Sequence, residues 1–239
     1  MSAVIEVLVK ESEIVSYNPA NGKEVGRVKN FSKDEVNEAV EKSRKAFEVW
    51  KKIPFSERKR IVMRAREIIL QEADEIALLI SSEMGKPIAE AHSAEITPIL
   101  DLMQFFSRNA EKMLKPKKIN IGLLGWMGRT SKMIYKPLGV VAIISPWNFP
   151  FSIPLGEVVM ALMAGNTIVL KPSELTPLIG EKIAEIFEIA GLPENVLQVV
   201  SGDGKTGAAL VESAPNKIMF TGSVATGKKI AEAAAKNLT

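Results

Sequence analysis

The chain has 239 residues, 46% of them hydrophobic and 25% charged, with a net charge of +3 and no cysteine. That balance suits one large or two smaller globular domains and excludes long-range disorder, a disulfide framework and a thiolate metal site. Basic residues are interleaved with acids along helical stretches such as Ser56–Glu75, "SERKRIVMRAREIILQEADE", the pattern of a solvated helix face and not of a nucleic-acid footprint.

No run reaches the roughly 18 apolar residues a membrane span needs. The start, "MSAVIEVLVKESE", lacks the basic opening and small-residue cleavage site of a secretory leader. The expectation is a cytoplasmic protein with neither nucleic acid nor membrane as partner.

Taken in chain order, residues 1–30 read as short strands and turns, with an Asn-Gly turn in "NPANGKEVGRV" between two apolar runs. A helical region follows. Ser32 and Glu35 form an S-x-x-E capping box, and Val36, Val40, Phe47 and Trp50 continue at near-helical spacing. Pro54-Phe55-Ser56 breaks and restarts the pattern; Ile61, Val62, Ala65, Ile68 and Ile69 then form one apolar face, and Gly85 is a C-terminal stop. A further helix from Pro87 to about Leu114 contains Pro98, which should kink or divide it. His92, the sole histidine, reads as a surface-helix residue. Lys117 to Leu138 turns Gly-rich and alternating, as a long hairpin that lies on its own domain or pairs with another subunit.

After Gly139 the organisation becomes regular. Strand-like "GVVAIIS", "NTIVLKP", "NVLQVVSG" and "KIMFTG" each precede a helical stretch, "PLGEVVMALMAG", "LIGEKIAEIFEIAG", "TGAALVESA" and "ATGKKIAEAAAKN". Successive β-α units with strands this apolar specify an α/β fold, a parallel sheet covered by helices on both sides. Such sheets bind ligands at the carboxyl ends of their strands.

Three polar clusters fall on that edge. "SPWNFP", Ser145–Pro150, places Asn148 among prolines and aromatics; "KPSELTP" begins at Lys171; Thr221-Gly222-Ser223 precedes the last helix. Free amides at a helix start can hold a phosphate. A lysine and a glutamate on one loop can divide the work on a ribose, the ammonium donating to its hydroxyls and the carboxylate accepting from them. Each also has a plainer reading: Glu174 and Thr176 as caps of the next helix, and "TGS" as an ordinary turn. "GDGKTG" fits G-x-G-x-x-G at Gly202, Gly204 and Gly207, but no acid stands near the end of the following strand, so the fingerprint is weak. As a P-loop it fails outright, because Val199 occupies the first glycine position.

"SPWNFP", "GNTIVLKPSELTP", "AGLPENVLQVVSGDG" and "KIMFTGS", in this order and at these separations, resemble the N-terminal half of the NAD(P)-dependent aldehyde dehydrogenase superfamily. The similarity runs over nearly the whole chain, through "YNPANGKEVGRV", "FEVWKKIPFSERKRI" and "EMGKPIAEA". It implies a Rossmann-like sheet at residues 139–239, preceded by strands and helices of the same cofactor-binding domain at 1–116 and a bridging, oligomerising hairpin at 117–138. It also implies that Asn148 donates its amide to the oxyanion of a tetrahedral thiohemiacetal. Pro146 and Trp147 would shape the cofactor cleft; Lys171 and Glu174 would hold the adenosine ribose; Gly202 and Gly204 would line the adenine side; Gly222 and Ser223 would meet the pyrophosphate; and Ser145, Ser173, Phe220 and Thr221 would complete the cofactor-binding set. The carboxylate of Glu174 would repel a 2′-phosphate, which favours NAD over NADP, although some members with this glutamate take both. No metal is implied. A small-molecule aldehyde is the implied substrate and a homodimer or homotetramer the implied assembly. Many relatives carry lysine where this chain has Glu157, so a proton relay through that lysine does not carry over.

The departure from the family is large. Its mechanism uses a cysteine nucleophile, hydride transfer and hydrolysis of a thioester, with a glutamate in a motif like Glu-Leu-Gly-Gly as base. Both would follow Thr239, since "AEAAAKNLT" resembles the helix just before the strand that carries the glutamate. The expectation is a truncated aldehyde dehydrogenase fold without its catalytic domain, inactive alone. The alternative is a stand-alone, non-catalytic NAD-binding or interaction module, which a four-stranded parallel sheet disfavours by leaving an apolar edge uncovered. An acyl-phosphate reductase is a lesser reading that "KPSE" and "PWNFP" argue against.

Overall fold

The structure, a computed structural model, describes residues 12–239. The part of the leading segment before residue 12 lies outside the described residues. β1 (Glu13–Tyr17) and β2 (Glu24–Lys29) form an antiparallel pair. Their turn is built by Asn18, whose side-chain oxygen accepts from Ala20 N at 2.9 Å and whose N–H donates to Lys23 O at 2.8 Å. α1 (Lys33–Trp50) opens on the expected capping box: Ser32 accepts from Glu35 N and the Glu35 carboxylate accepts from Ser32 N. α2 (Phe55–Gln71) starts after Pro54, and α3 (Ala73–Met84) stops at Gly85, whose φ of 76° is the left-handed conformation that glycine adopts without a Cβ penalty.

The helix expected from Pro87 onward is divided, as Pro98 requires. A single turn, α4 (Ile88–Glu90), runs into a π-helical turn, Ala91–Ile96, and then into α5 (Thr97–Met113), in whose first turn Pro98 sits. The Thr97 N–H reaches back five residues to His92 O, which marks the widened turn.

The hairpin expected over Lys117–Leu138 is present but short. β3 (Lys117–Ile119) and β4 (Ser131–Met133) pair over three residues each, and the connection contains a helical turn, α6 (Leu123–Trp126). The Asn120 side chain accepts from Gly122 N at 3.0 Å and turns the chain away before the ladder can lengthen.

Four β-α units follow: β5 (Val140–Ile144), α7 (Ser152–Met163), β6 (Thr167–Lys171), α8 (Pro177–Ile189), β7 (Leu197–Val199), α9 (Gly204–Glu212), β8 (Lys217–Phe220) and α10 (Val224–Ala235). The strands are parallel in the order β7-β6-β5-β8. The chain therefore builds outward from β5 on one side and returns to its other side with β8. β5 and β8 flank the topological switch point, where open α/β sheets bind ligands.

Strand alternation sorts the core into two layers. Val141, Ile143, Ile168 and Leu170 face a cluster that holds Ile61, Ile69, Ile76, Met103, Leu155, Leu162, Ile183 and Phe187 from α2, α3, α5, α7 and α8. Val140, Ala142, Ile144 and Val169 face Val36, Val40 and Leu210 from α1 and α9. Each fully buried Leu, Ile or Phe contributes about 1.5–3 kcal/mol relative to exposure, so the two central strands anchor the edge on which the polar loops sit.

Candidate cofactor and oxyanion site

Register brings the polar loops together. Ile144 pairs with Lys171 on one side and Phe220 on the other, Ser145 N donates to Lys171 O at 3.2 Å, and Thr221 N donates to Ile144 O at 3.2 Å. Leu170 pairs with Val199, which adds the Ser201–Gly204 turn to the same edge. All of the residues that sequence reasoning assigned to the site thus lie at the carboxyl ends of the strands, with "SPWNFP" and "TGS" on either side of the switch point.

The "SPWNFP" loop lacks regular secondary structure and exposes Trp147, Asn148 and Phe149, then buries Pro150 and Phe151. It is held from below by a buried ion pair that sequence reasoning did not single out. Lys86 Nζ binds Glu95 Oε1 and also donates to the backbone oxygen of Asn148 at 2.9 Å. The other oxygen of Glu95 accepts from Phe151 N at 2.9 Å and Ser152 N at 3.1 Å, the first amides of α7. The one trace in the sequence is that Glu95 interrupts the apolar face of Ala91, Ile96 and Ile99, a position where a charge must have a buried partner.

After β6, the buried Lys171 ammonium pairs with the half-exposed Glu174 carboxylate at 3.0 Å. The Ser173 hydroxyl oxygen accepts from Leu175 N at 3.2 Å and shapes the turn. Neither Glu174 nor Thr176 caps α8 through its side chain. That role belongs to Glu83, from the end of α3, which accepts from Leu178 N at 3.0 Å and Ile179 N at 2.9 Å, and from the Ser16 hydroxyl at 2.8 Å. Burial pushes the Glu83 carboxyl up to about 7, against the pull of these three donors. A cleft of about 400 Å³ lies between this carboxylate, Trp147 and Glu174.

After β8, Ser223 caps α10 and accepts from Thr226 N at 3.1 Å. Gly222 is a close-approach glycine, since a Cβ there would strike the Phe220 ring. Burial also raises the carboxyl of Glu157, on α7, to about 7, with the Thr221 hydroxyl opposing the rise. At "GDGKTG", Asp203 caps α9 by accepting from Lys205 N at 2.7 Å, and Gly202 is required by the adjacent Thr206 side chain; Gly204 is open. The motif is a capped helix start, consistent with its weakness as a dinucleotide fingerprint.

A model of the aldehyde dehydrogenase family matches residues 8–239. The chain belongs to the aldehyde dehydrogenase family. Similar proteins include the 1-pyrroline-5-carboxylate dehydrogenase of Anoxybacillus flavithermus, 41% identical over 234 residues, which are 97% of this chain and 44% of that protein. The 4,4'-diapolycopene aldehyde oxidase of a Methylomonas species is 33% identical over 94% of this chain and 42% of its own length. Among solved structures, the aldehyde dehydrogenase of Brucella melitensis biovar abortus 2308 superposes with a TM-score of 0.90 at 33% identity, covering 95% of this chain and 47% of that one. PnpE in complex with nicotinamide adenine dinucleotide superposes with a TM-score of 0.89 at 35% identity, over 95% of this chain and 46% of that one. The chain therefore spans less than half the length of these relatives.

Aldehyde dehydrogenases use NAD(P). At the strand edge described above, Lys171 presents an ammonium donor and Glu174 a carboxylate acceptor. The helix starts differ in charge. Glu95 sits on the start of α7, Glu83 on that of α8 and Asp203 on that of α9, whereas α10 has only the neutral hydroxyl of Ser223. Of these four, α10 alone has no carboxylate against its first amides and dipole, the features that favour an anion at a helix start. No group of three or more acidic, histidine or cysteine side chains suited to a metal occurs among the described residues, and no helix there is long and apolar enough to cross a membrane.

Proposed function

We propose that these residues form the cofactor-binding half of an NAD-linked aldehyde dehydrogenase that oxidises an aldehyde to a carboxylic acid. The observation that carries this reading is the meeting, at one switch point, of an exposed Asn148, a Lys171–Glu174 pair and a helix start free of carboxylates. In this reading residues 139–239 are the Rossmann-like core, residues 1–116 complete the domain, and residues 117–138 bridge subunits of a dimer or tetramer. Apolar exposure supports the last assignment: Leu123, Trp126, Met127 and Ile134 all stand in solvent, Trp126 at 94%.

The Asn148 amide donates to the aldehyde oxygen as that oxygen becomes an oxyanion, which stabilises charge present only in the transition state. Lys171 is already oriented by Glu174, so the pair meets two ribose hydroxyls at little reorganisation cost, and the Glu174 charge selects against a 2′-phosphate. Ser145, Pro146 and Trp147 wall the cleft, Trp147 with half of its surface exposed. Ser173 shapes the ribose loop, Gly202 and Gly204 border the adenine side, and Phe220, Thr221, Gly222 and Ser223 present the α10 amides to the diphosphate. Glu157, raised to about 7 by burial, can hold a proton at neutral pH beside Thr221. NAD, when bound, supplies the hydride acceptor.

The thiol nucleophile of this chemistry is not among the 239 residues, which contain no cysteine. The test is an assay of the protein expressed from its native gene, beside the 239-residue chain alone. NAD-dependent aldehyde oxidation by the first, abolished by thiol alkylation, is the expected result, with no turnover by the second. Turnover by the 239 residues that survives further purification, or a native protein that does not bind NAD, would overturn the reading.

A further inference from the structure

We propose that Lys86 and Glu95 are positioning residues for Asn148, a buried ionic tether that fixes where its amide points. The proposal rests on the oxyanion role assigned above to Asn148. The geometry is local and complete. Both side chains are almost fully buried, 7% and 0% exposed, yet each spends its polar capacity on the same loop. The Lys86 ammonium has three donors. One goes to Glu95, one to the Asn148 carbonyl, and the Phe149 ring lies 4.1 Å from Nζ as a cation–π acceptor. Glu95 closes the circuit by taking the Phe151 and Ser152 amides with its second oxygen. The midpoint and the end of the loop are therefore bound to one ion pair.

Glu95 stands on the widened turn Ala91–Ile96, a kind of turn that recurs at functional sites, and Lys86 in the link between α3 and α4. A purely structural need would be met more cheaply. Burying two charges costs desolvation that apolar residues of similar size avoid, so retention of the pair points to the placement of the loop it holds. Asn148 keeps its side chain exposed while its backbone is clamped, which is the arrangement of an amide held ready for a partner outside the chain.

The test replaces both charges together, Lys86→Met with Glu95→Leu, so that no lone charge is left buried, in the protein expressed from its native gene. Single-turnover acylation of propanal with NAD is measured for this variant, for Asn148→Ala and for their combination. The expected result is acylation at least tenfold slower, an NAD Kd within twofold of wild type, and a combined variant no slower than Asn148→Ala alone. Additive losses, or equal losses of acylation and NAD affinity, would overturn the proposal. If the double variant fails to fold, Glu95→Gln is expected to slow acylation severalfold at unchanged NAD affinity, and a uniform loss would again count against it. Hydrogen exchange at Phe151 and Ser152 provides a separate readout, expected to quicken at least tenfold in the double variant, or severalfold in Glu95→Gln, while Val158–Met163 stays protected. An Asn148→Ala protein that acylates like wild type sinks the oxyanion role alone, and the exchange result then decides the tether, with unaltered exchange refuting it.

Discussion

α7 and α10 follow neighbouring strands on either side of the same switch point, yet they are built to opposite ends. α7 buries Leu155, Val158, Val159 and Leu162 completely, and its first amides are taken by the carboxylate of Glu95. α10 buries only Ala234, exposes Val224 at 77%, and has a serine where α7, α8 and α9 have a carboxylate. The difference teaches that a helix N-terminus becomes an anion site by what is kept away from it. The macrodipole is common to both helices, and a resident carboxylate already satisfies it at α7. α7 is thus committed to holding a loop, and α10 is the start at which the proposed function places a diphosphate.

The largest expected effect lies on the committed side. In the protein expressed from its native gene, Asn148→Ala should slow single-turnover acylation about a hundredfold, as loss of one oxyanion donor does elsewhere. A change below twofold would break the link between the tethered loop and chemistry.

Glu83 sharpens the same contrast at α8. Between the ordinary carboxylate range and about 7, the folded chain keeps a proton that the unfolded chain releases. Its contribution to stability therefore falls as pH rises through that window. Glu83→Gln should cost about 1–3 kcal/mol near pH 5, because a carboxamide nitrogen cannot accept from Ile179 N. The deficit should shrink towards pH 8, since only the wild type titrates. Thermal melts across that range check it, and a deficit independent of pH would contradict the assignment of the raised group to Glu83.

What could be read from the sequence follows the range of the interactions. The β-α units were legible because each strand is a short apolar run bounded by Gly, Pro or Asn, and the site loops because they sit at the strand ends. Ser32 with Glu35 and the stop at Gly85 act within a few residues, and the structure has both. Glu83, Lys86 and Glu95 were not legible as site-shaping groups. Their partners lie 95, 62 and 56 residues away, at Leu178, Asn148 and Phe151, and helical periodicity says nothing about a contact made across the fold. The plain reading of Glu174 and Thr176 as caps failed for the same reason, since a distant carboxylate had already taken the amides of α8. The hairpin at 117–138 was overextended because alternation marks strands but not where a turn cuts the ladder. Strand order, with β8 returning beside β5, was equally out of reach, although it places the switch point.

The most direct test of the contrast between α7 and α10 is a calorimetric titration of NAD into the protein expressed from its native gene and into its Ser223→Asp variant. Aspartate caps a helix as well as serine does, so the fold should be as stable as before. Its charge at the α10 start should raise the NAD Kd about tenfold, equivalent to about 1.4 kcal/mol. An unchanged Kd in a folded variant would contradict the account, because the diphosphate would then not lie at the start of α10, which among α7 to α10 is the one without a capping carboxylate.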